Sequence, residues 1–328
     1  MTLGQLVDGQ WVKNWTEQDQ EGRFQRMPTR FHHQITADGS GRFPVEAGRY
    51  HLYVSLGCPW AHRTVIMREL KGLQAVVGLS IVDPVIREDG WVFSNFPGAS
   101  PDPVNQAQYL REIYLQADPH YTGRVTVPVL WDKQTHTIVN NESRQIIRML
   151  DVEFHALATR QNHFYPDHLQ PLIEQTLDAI YQPINNGVYR AGFAATQAAY
   201  EAAVTELFTA LEHWDQVLGQ QRYLCGDQLT EADWCMFTTL YRFELAYFGI
   251  FKCNLKSLRD FTHLWNYLKE LYQYPGVREV CREDHVKHLY YRGLPQLNPT
   301  QIVPRGPLLD LESPHSRHQL NLAASVTR

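Results

Sequence analysis

The chain reads as an α/β domain followed by an all-helical domain. Strand-like and helix-like segments alternate from about Tyr50 to Leu150, and apolar positions beyond that recur at helical spacing. Between the first strand and first helix lies Ser55-Leu56-Gly57-Cys58-Pro59-Trp60-Ala61-His62-Arg63, a short loop leading into a helix that opens on a cysteine. At 328 residues the chain exceeds one average domain, so two packed domains are the default expectation.

Residues 1–46 are polar and aromatic, with Trp11, Trp15, Phe24 and Phe31 scattered and no sustained periodicity. They read as an extended arm on the body of the protein. Residues 47–155 form the first domain. His51 to Val54 is a strand, Trp60 to Leu70 a helix carrying Val65, Ile66 and Leu70, and Leu79 to Val82 a second strand. A long insertion follows. Val125 to Asp132 then reads as a third strand, Thr137 to Val139 as a fourth and Ser143 to Leu150 as a closing helix. The order β-α-β, then β-β-α, is the layout of a thioredoxin-like domain.

Residues 165–294 are expected to be helical. In Tyr200–Leu218, Val204, Leu207, Phe208, Leu211 and Leu218 recur at helix spacing, and Gly219 stands where a C-cap glycine would. Thr230 precedes Asp233 by three positions, a capping-box signature for the next helix. Further helical stretches run through Tyr241, Phe261–Tyr272 and Val277–His288. After Pro295 the chain turns Pro-, Ser- and Asn-rich, so 295–328 reads as a tail.

The composition is 44% hydrophobic and 20% charged, ordinary for a globular protein. A formal net charge of −5, with no basic block, argues against nucleic acid or an acidic membrane as the main partner. The five cysteines, Cys58, Cys225, Cys235, Cys253 and Cys281, are irregularly spaced, which suits neither a disulfide framework nor a zinc module. The start has no charged and apolar leader pattern, and no apolar run reaches transmembrane length. A cytoplasmic, reducing location is the expectation. The 17 tyrosines fit a large core, or a pocket for flat aromatic molecules with polar edges.

Proline is tolerated in the first turn of a helix, so Pro59 places the Cys58 sulfur at the positive end of the helix dipole. A thiol there loses its proton more easily, and the thiolate is the reactive form. Three positions on stands Ala61, so no resolving cysteine lies nearby. The second thiol must come from elsewhere, and glutathione is the usual supplier.

Val127-Pro128 stands where a strand should meet that site. The bond is predicted to be cis, which would turn the Val127 backbone groups outward, to pair with the cysteinyl part of glutathione as an added strand does. An ordinary edge-strand proline is the other reading. At the next strand-to-helix junction the Ser143 hydroxyl suits a γ-glutamyl carboxylate and Glu142 suits its ammonium, although the pair also reads as a plain helix start. Trp91 lies in the insertion, a segment long enough to be functional, or it is a buried structural residue. His62 and Arg63 add positive potential near Cys58, or form a surface helix face. The fifteen histidines form no H-E-x-x-H or Cys/His cluster, so solvated or core roles are expected and no metal is implied.

Cys58-Pro59-Trp60-Ala61-His62-Arg63, Trp91 with Phe96-Pro97-Gly98, Arg124 to Asp132, Asn141-Glu142-Ser143, Asn185-Asn186-Gly187-Val188-Tyr189 and Asn298-Pro299 occur together and in order. With Tyr223 to Asp233, they resemble the glutathionyl-hydroquinone reductases, the xi class of glutathione transferases, over nearly the whole chain. The resemblance implies that Trp91 covers glutathione and that Arg124, Val125, Thr126 and Val127 line its site with Glu142 and Ser143. It implies a pocket over Cys58 in which Tyr189 donates a proton while Tyr247 and Tyr290 help to stabilise the thiolate. The implied reaction reduces glutathionyl-hydroquinones through a Cys58–glutathione mixed disulfide, with glutathione as co-substrate and neither metal nor nicotinamide. A homodimer is also implied. An omega-like thiol transferase or dehydroascorbate reductase is the nearest rival; a conjugating transferase and a non-catalytic binding module stand further off.

Overall fold

The computed structural model describes residues 3–15 and 18–320. The last eight residues of the expected tail, and the side chain of Trp15 in the arm, lie outside that description. The chain divides into two compact units. The first comprises Met1–Glu17, Arg26–Asn162 and Val280–Val303, and the second Gln18–Gln25, His163–Glu279 and Pro304–Arg328.

In the first unit the arm forms a hairpin of β1 (Leu3–Val7) and β2 (Gln10–Trp15), then a short parallel pair, β3 (Ile35–Thr36) and β4 (Phe43–Pro44). The main sheet is built from β5 (Tyr50–Val54), β6 (Gly78–Ile81), β7 (Val129–Asp132) and β8 (Thr137–Asn140) in the order β6-β5-β7-β8. The β5–β6 pair is parallel and the other two pairs are antiparallel. Every residue of central β5 is buried, as a strand covered on both faces requires. Two helices, α1 (Pro59–Leu70) and α3 (Ser143–Val152), pack together beside the sheet. Buried ion pairs brace each layer: within the sheet Arg49 clasps Asp132 with two hydrogen bonds of 2.8 and 2.7 Å, and between the helices Lys71, at the end of α1, meets Asp151 of α3 at 2.9 Å.

The insertion contains a helix unforeseen from the sequence, α2 (Leu110–Ala117). At eight residues it is too short for a firm periodic signal. The expected third strand is shorter than its β-prone sequence: residues 125–128 leave the ladder, and the backbone of Thr126 bonds instead to the Tyr114 hydroxyl of α2.

The second unit carries α4 (Gln170–Ile180), α5 (Gly187–Gly192), α6 (Gln197–Gln220), α7 (Glu231–Arg242) and α8 (Thr262–Tyr272). The expected apolar face of α6 is buried. Gly219, expected as its C-cap, lies inside the helix instead. A side chain there would meet His263, its Cβ 2.9 Å from the imidazole Nε2, so the glycine serves close packing. The helix end is closed by Arg317, which donates to the carbonyls of Leu218 and Gln221 at 2.5 and 2.8 Å. Thr230 and Asp233 form the expected capping box. Asp233 also accepts from the Tyr267 hydroxyl at 2.7 Å, and burial pushes its carboxyl above the usual range.

The helix α9 spans Glu283–Arg292 rather than 277–288. Arg282 is extended, and Glu283 and Asp284 supply the acidic first turn that favours a start there. Although α9 falls inside the stretch read as the helical domain, it belongs to the first unit.

Candidate active site

Loop 55–57 delivers Cys58 to the N-cap of α1 with extended backbone angles (φ −82°, ψ 125°), and Pro59 occupies the first turn. The Cys58 side chain is buried, with Sγ 3.8 Å from the Val127 carbonyl. Gly57 makes room for the turn: a Cβ there would lie 2.8 Å from both the His285 carbonyl oxygen and the Leu289 Cβ of α9. The position of Cys58 is thus set by α1, by the chain before β7 and by α9.

His62 and Arg63 are both buried, which removes the surface-face reading. His62 Nε2 lies 3.0 Å from the Val280 carbonyl. The Arg63 guanidinium stacks on the Trp60 ring at 4.8 Å and reaches within 3.5 Å of Ser143 Oγ. This cation lies near the start of α3, where an anion would already be favoured by the helix dipole.

The Val127–Pro128 bond is cis. Among the described residues the Val127 N–H has no hydrogen-bond partner, so the buried Val127 backbone offers one donor and one acceptor beside Cys58. An extended thiol peptide would pair with those two groups. Val125 is buried; Arg124 and Thr126 are half-buried. Glu142 is the N-cap of α3: its carboxylate accepts the Arg144 N–H at 3.3 Å and meets the Thr29 hydroxyl at 3.4 Å. Ser143, in the first turn, is buried with its hydroxyl 3.5 Å from Glu142 Oε1. Trp91 is buried, and among the described residues its indole N–H has no partner.

The three tyrosines separate. Tyr290 lies on α9 in the first unit, one residue beyond the Leu289 that abuts Gly57. Tyr189 and Tyr247 share the second unit, their rings 5.9 Å apart and each 5.5 Å from Phe251. Tyr189 follows a π-helical turn (Tyr181–Asn185), and Tyr247 ends another (Phe243–Tyr247); such turns recur at functional sites. Asn185 fixes the approach to Tyr189 by donating to the Cys235 carbonyl and the Thr239 hydroxyl at 3.1 and 2.9 Å.

Two supports escaped the sequence reading. One is Tyr114, hidden because α2 itself was hidden. The other is the pairing of Phe96-Pro97-Gly98 with α9: His285 Nε2 and Arg282 Nη2 lie 2.8 and 3.0 Å from the Pro97 carbonyl, and Phe96 packs edge-on to His285 and His288. Burial holds His285 below its ordinary pKa, so it stays neutral near pH 7. Among the described residues no group of three or more His, Cys, Asp and Glu could hold a metal.

A thioredoxin-like sheet with a cis-proline beside a helix-capping cysteine, followed by helices with a buried capping box, is the architecture of a glutathione transferase. Residues 57–153 match the glutathione S-transferase N-terminal domain, and 197–270 the C-terminal domain. The chain is 48% identical over 323 residues to the glutathionyl-hydroquinone reductase YqjG of Escherichia coli K12, covering 96% of this chain and 98% of that protein. Among solved structures, a Xi class transferase from Natrialba magadii superposes with a TM-score of 0.93 at 51% identity, covering 97% of this chain and 98% of that one. The glutathione-bound structure of YqjG superposes with a TM-score of 0.89 at 47% identity, covering 96% and 99%. The chain belongs to the glutathione S-transferase family and, within it, to the Xi class of glutathionyl-hydroquinone reductases.

Proposed function

We propose that this enzyme reduces glutathionyl-hydroquinones to free hydroquinones, with Cys58 as nucleophile and glutathione as co-substrate. The observation that carries the reading is Cys58 at the N-cap of α1, 3.8 Å from the carbonyl of a Val127 whose N–H has no partner among the described residues. That is a place for a thiolate beside a place for a cysteinyl backbone.

The Cys58 thiolate attacks the sulfur of the glutathionyl-hydroquinone. A sulfur–sulfur bond forms as the bond from that sulfur to the aromatic carbon breaks. The electron pair leaves with the carbon, which takes a proton relayed from Tyr189, and the hydroquinone departs. A second glutathione thiolate then attacks the glutathione sulfur of the mixed disulfide, releasing oxidised glutathione and restoring the Cys58 thiolate. One glutathionyl-hydroquinone and one glutathione thus give one hydroquinone and one disulfide.

Val127 pairs with the cysteinyl backbone, Arg124, Val125 and Thr126 line the same wall, and Trp91 covers the tripeptide with its indole N–H available to a carbonyl. Ser143 and the start of α3 receive the γ-glutamyl carboxylate under the field of Arg63, while Glu142 receives the ammonium. Tyr247 and Tyr290 donate hydrogen bonds that favour the thiolate. The enzyme acts as a cytoplasmic homodimer. No disulfide joins its five cysteines, and no described helix is long and apolar enough to cross a membrane.

The test is hydroquinone release from glutathionyl-menadiol with added glutathione, wild type against Cys58→Ala, with mass spectrometry of the protein. Turnover lost in the variant, and a glutathione adduct on wild-type Cys58 when glutathione is limiting, is the expected result. Normal turnover by the variant would remove Cys58 from the mechanism. A reactive Cys58 that reduces small mixed disulfides but not the aromatic conjugate would transfer the activity to the omega-like thiol transferases.

A further inference from the structure

We infer that the Tyr114 hydroxyl is the positioning group that sets the two halves of the glutathione cradle relative to each other, and that the N-terminal arm helps to hold it there. The inference rests on the reading of Val127, Glu142 and Ser143 as that cradle. The two halves come from separate stretches of chain: residues 124–127 precede β7, and 142–143 follow β8. No ladder hydrogen bond joins them directly, because 125–128 have left the sheet.

Tyr114 bridges the gap. Its hydroxyl donates to the Thr126 carbonyl at 2.8 Å and accepts the Thr126 N–H at 3.2 Å. It also accepts from the Asn141 side-chain amide at 3.1 Å. One oxygen therefore fixes the backbone adjoining Val127 and the side chain adjoining Glu142. The arm completes the set on the other side of Asn141, where the Phe31 N–H donates to Asn141 Oδ1 and the Asn141 N–H to the Phe31 carbonyl, both at 3.1 Å. The Phe31 ring stacks on Tyr121 and meets Tyr114 edge-on, their centroids 5.6 and 5.9 Å apart.

Such an arrangement gives α2 and the arm a function. A tripeptide that must engage Val127 and Ser143 at once binds well only if their separation is right beforehand, because preorganisation cuts the cost of binding. Tyr114 has no call on the thiol itself. Loss of its hydroxyl should therefore weaken glutathione binding while leaving the intrinsic reactivity of Cys58 alone.

The variant Tyr114→Phe keeps the buried ring and removes only the pin. The expected result is a KM for glutathione raised about tenfold, roughly the worth of one or two buried hydrogen bonds, with kcat at saturating glutathione within about threefold of wild type. Alkylation of Cys58 by iodoacetamide in the absence of glutathione should keep its rate and its pH midpoint. Asn141→Ala should show the same pattern, and the double variant should be no worse than either single one, because both act through one node. An unchanged KM in both single variants overturns the inference, as does an equal loss of kcat and alkylation rate, which would mark Tyr114 as merely structural. Ser143→Ala and Glu142→Gln separate the two levels. If they leave glutathione binding intact, the cradle reading fails and the inference with it. If they weaken binding while Tyr114→Phe does not, the inference alone fails.

Discussion

Replacing Gly57 with alanine tests whether packing of α9 fixes the position of Cys58. The backbone of Gly57 lies outside the left-handed region, so glycine is not needed there for its torsion angles. On that ground alone alanine would stabilise the fold by about 0.4–1 kcal/mol through the unfolded state. The obstacle is space. A Cβ would stand 2.8 Å from the His285 carbonyl oxygen and from Leu289 Cβ and Cδ2. Only Cδ2 can swing away; the other two atoms are fixed by the α9 backbone. Restoring an ordinary contact of 3.4 Å requires the loop and helix to part by about 0.6 Å. Overpacking of this kind costs about 1–3 kcal/mol, so net destabilisation is expected to be on the order of 1 kcal/mol. The displaced atoms adjoin Cys58, and misplacement of a reacting group by about 1 Å costs on the order of a hundredfold in rate. Gly57→Ala should therefore lose about ten- to a hundredfold in kcat/KM while remaining folded. Urea denaturation gives the first quantity and hydroquinone release the second. Adding Leu289→Ala should restore little, because Cβ and the carbonyl remain in the way. Wild-type stability and turnover would refute the steric argument, and lost stability with normal turnover would refute the link to the nucleophile.

Two further predictions concern the frame around the site. Burial pushes His51, whose Nε2 lies 2.8 Å from Ser80 Oγ, down to about 4, so the folded protein keeps it neutral while the unfolded chain takes up a proton near 6.5. The folded pKa being the lower, stability is fully present above pH 6.5 and is lost as pH falls toward 4, by about 3 kcal/mol; His51→Gln should lack this part of the acid sensitivity in urea titrations at pH 7.5 and 4.5, and an identical pH dependence would refute it. Removing the imidazole that holds Pro97, by His285→Ala, should loosen the loop and speed hydrogen exchange at the Ala99 and Ser100 amides, which bond to the Phe96 and Ile81 carbonyls. Unchanged exchange there would mean that Arg282 alone holds the loop.

What the sequence made legible was local. The strand-loop-helix around Cys58 was readable because Pro59 and the β-prone run before Ser55 each act within a few residues. The Thr230 cap and the cis bond at Val127 were readable for the same reason. The errors have a common physical origin in long-range contacts. Residues 125–128 have β-prone side chains, yet their backbone partner is a tyrosine from a helix too short to announce itself. Gly219 resembles a helix stop, but an arginine 98 positions later does the capping while the glycine serves His263. His62 and Arg63 look like a polar helix face and are buried because α1 is enclosed by partners remote in sequence.

The same distinction governs how the candidate site is built. Motif residues within one turn of Cys58 or Glu142 supply chemical groups, and a short peptide could carry their identities. Their separations are set elsewhere: by α9 against Gly57, by Tyr114 between Thr126 and Asn141, and by the arm against Asn141. A thiolate at a helix N-terminus is reactive wherever it occurs, but selectivity for a conjugated tripeptide depends on distances between groups far apart in sequence. Substitutions in the motifs should therefore abolish chemistry, whereas substitutions in the remote supports should act through distance: Tyr114 and Asn141 on binding, and the α9 contact with Gly57 on the placement of Cys58.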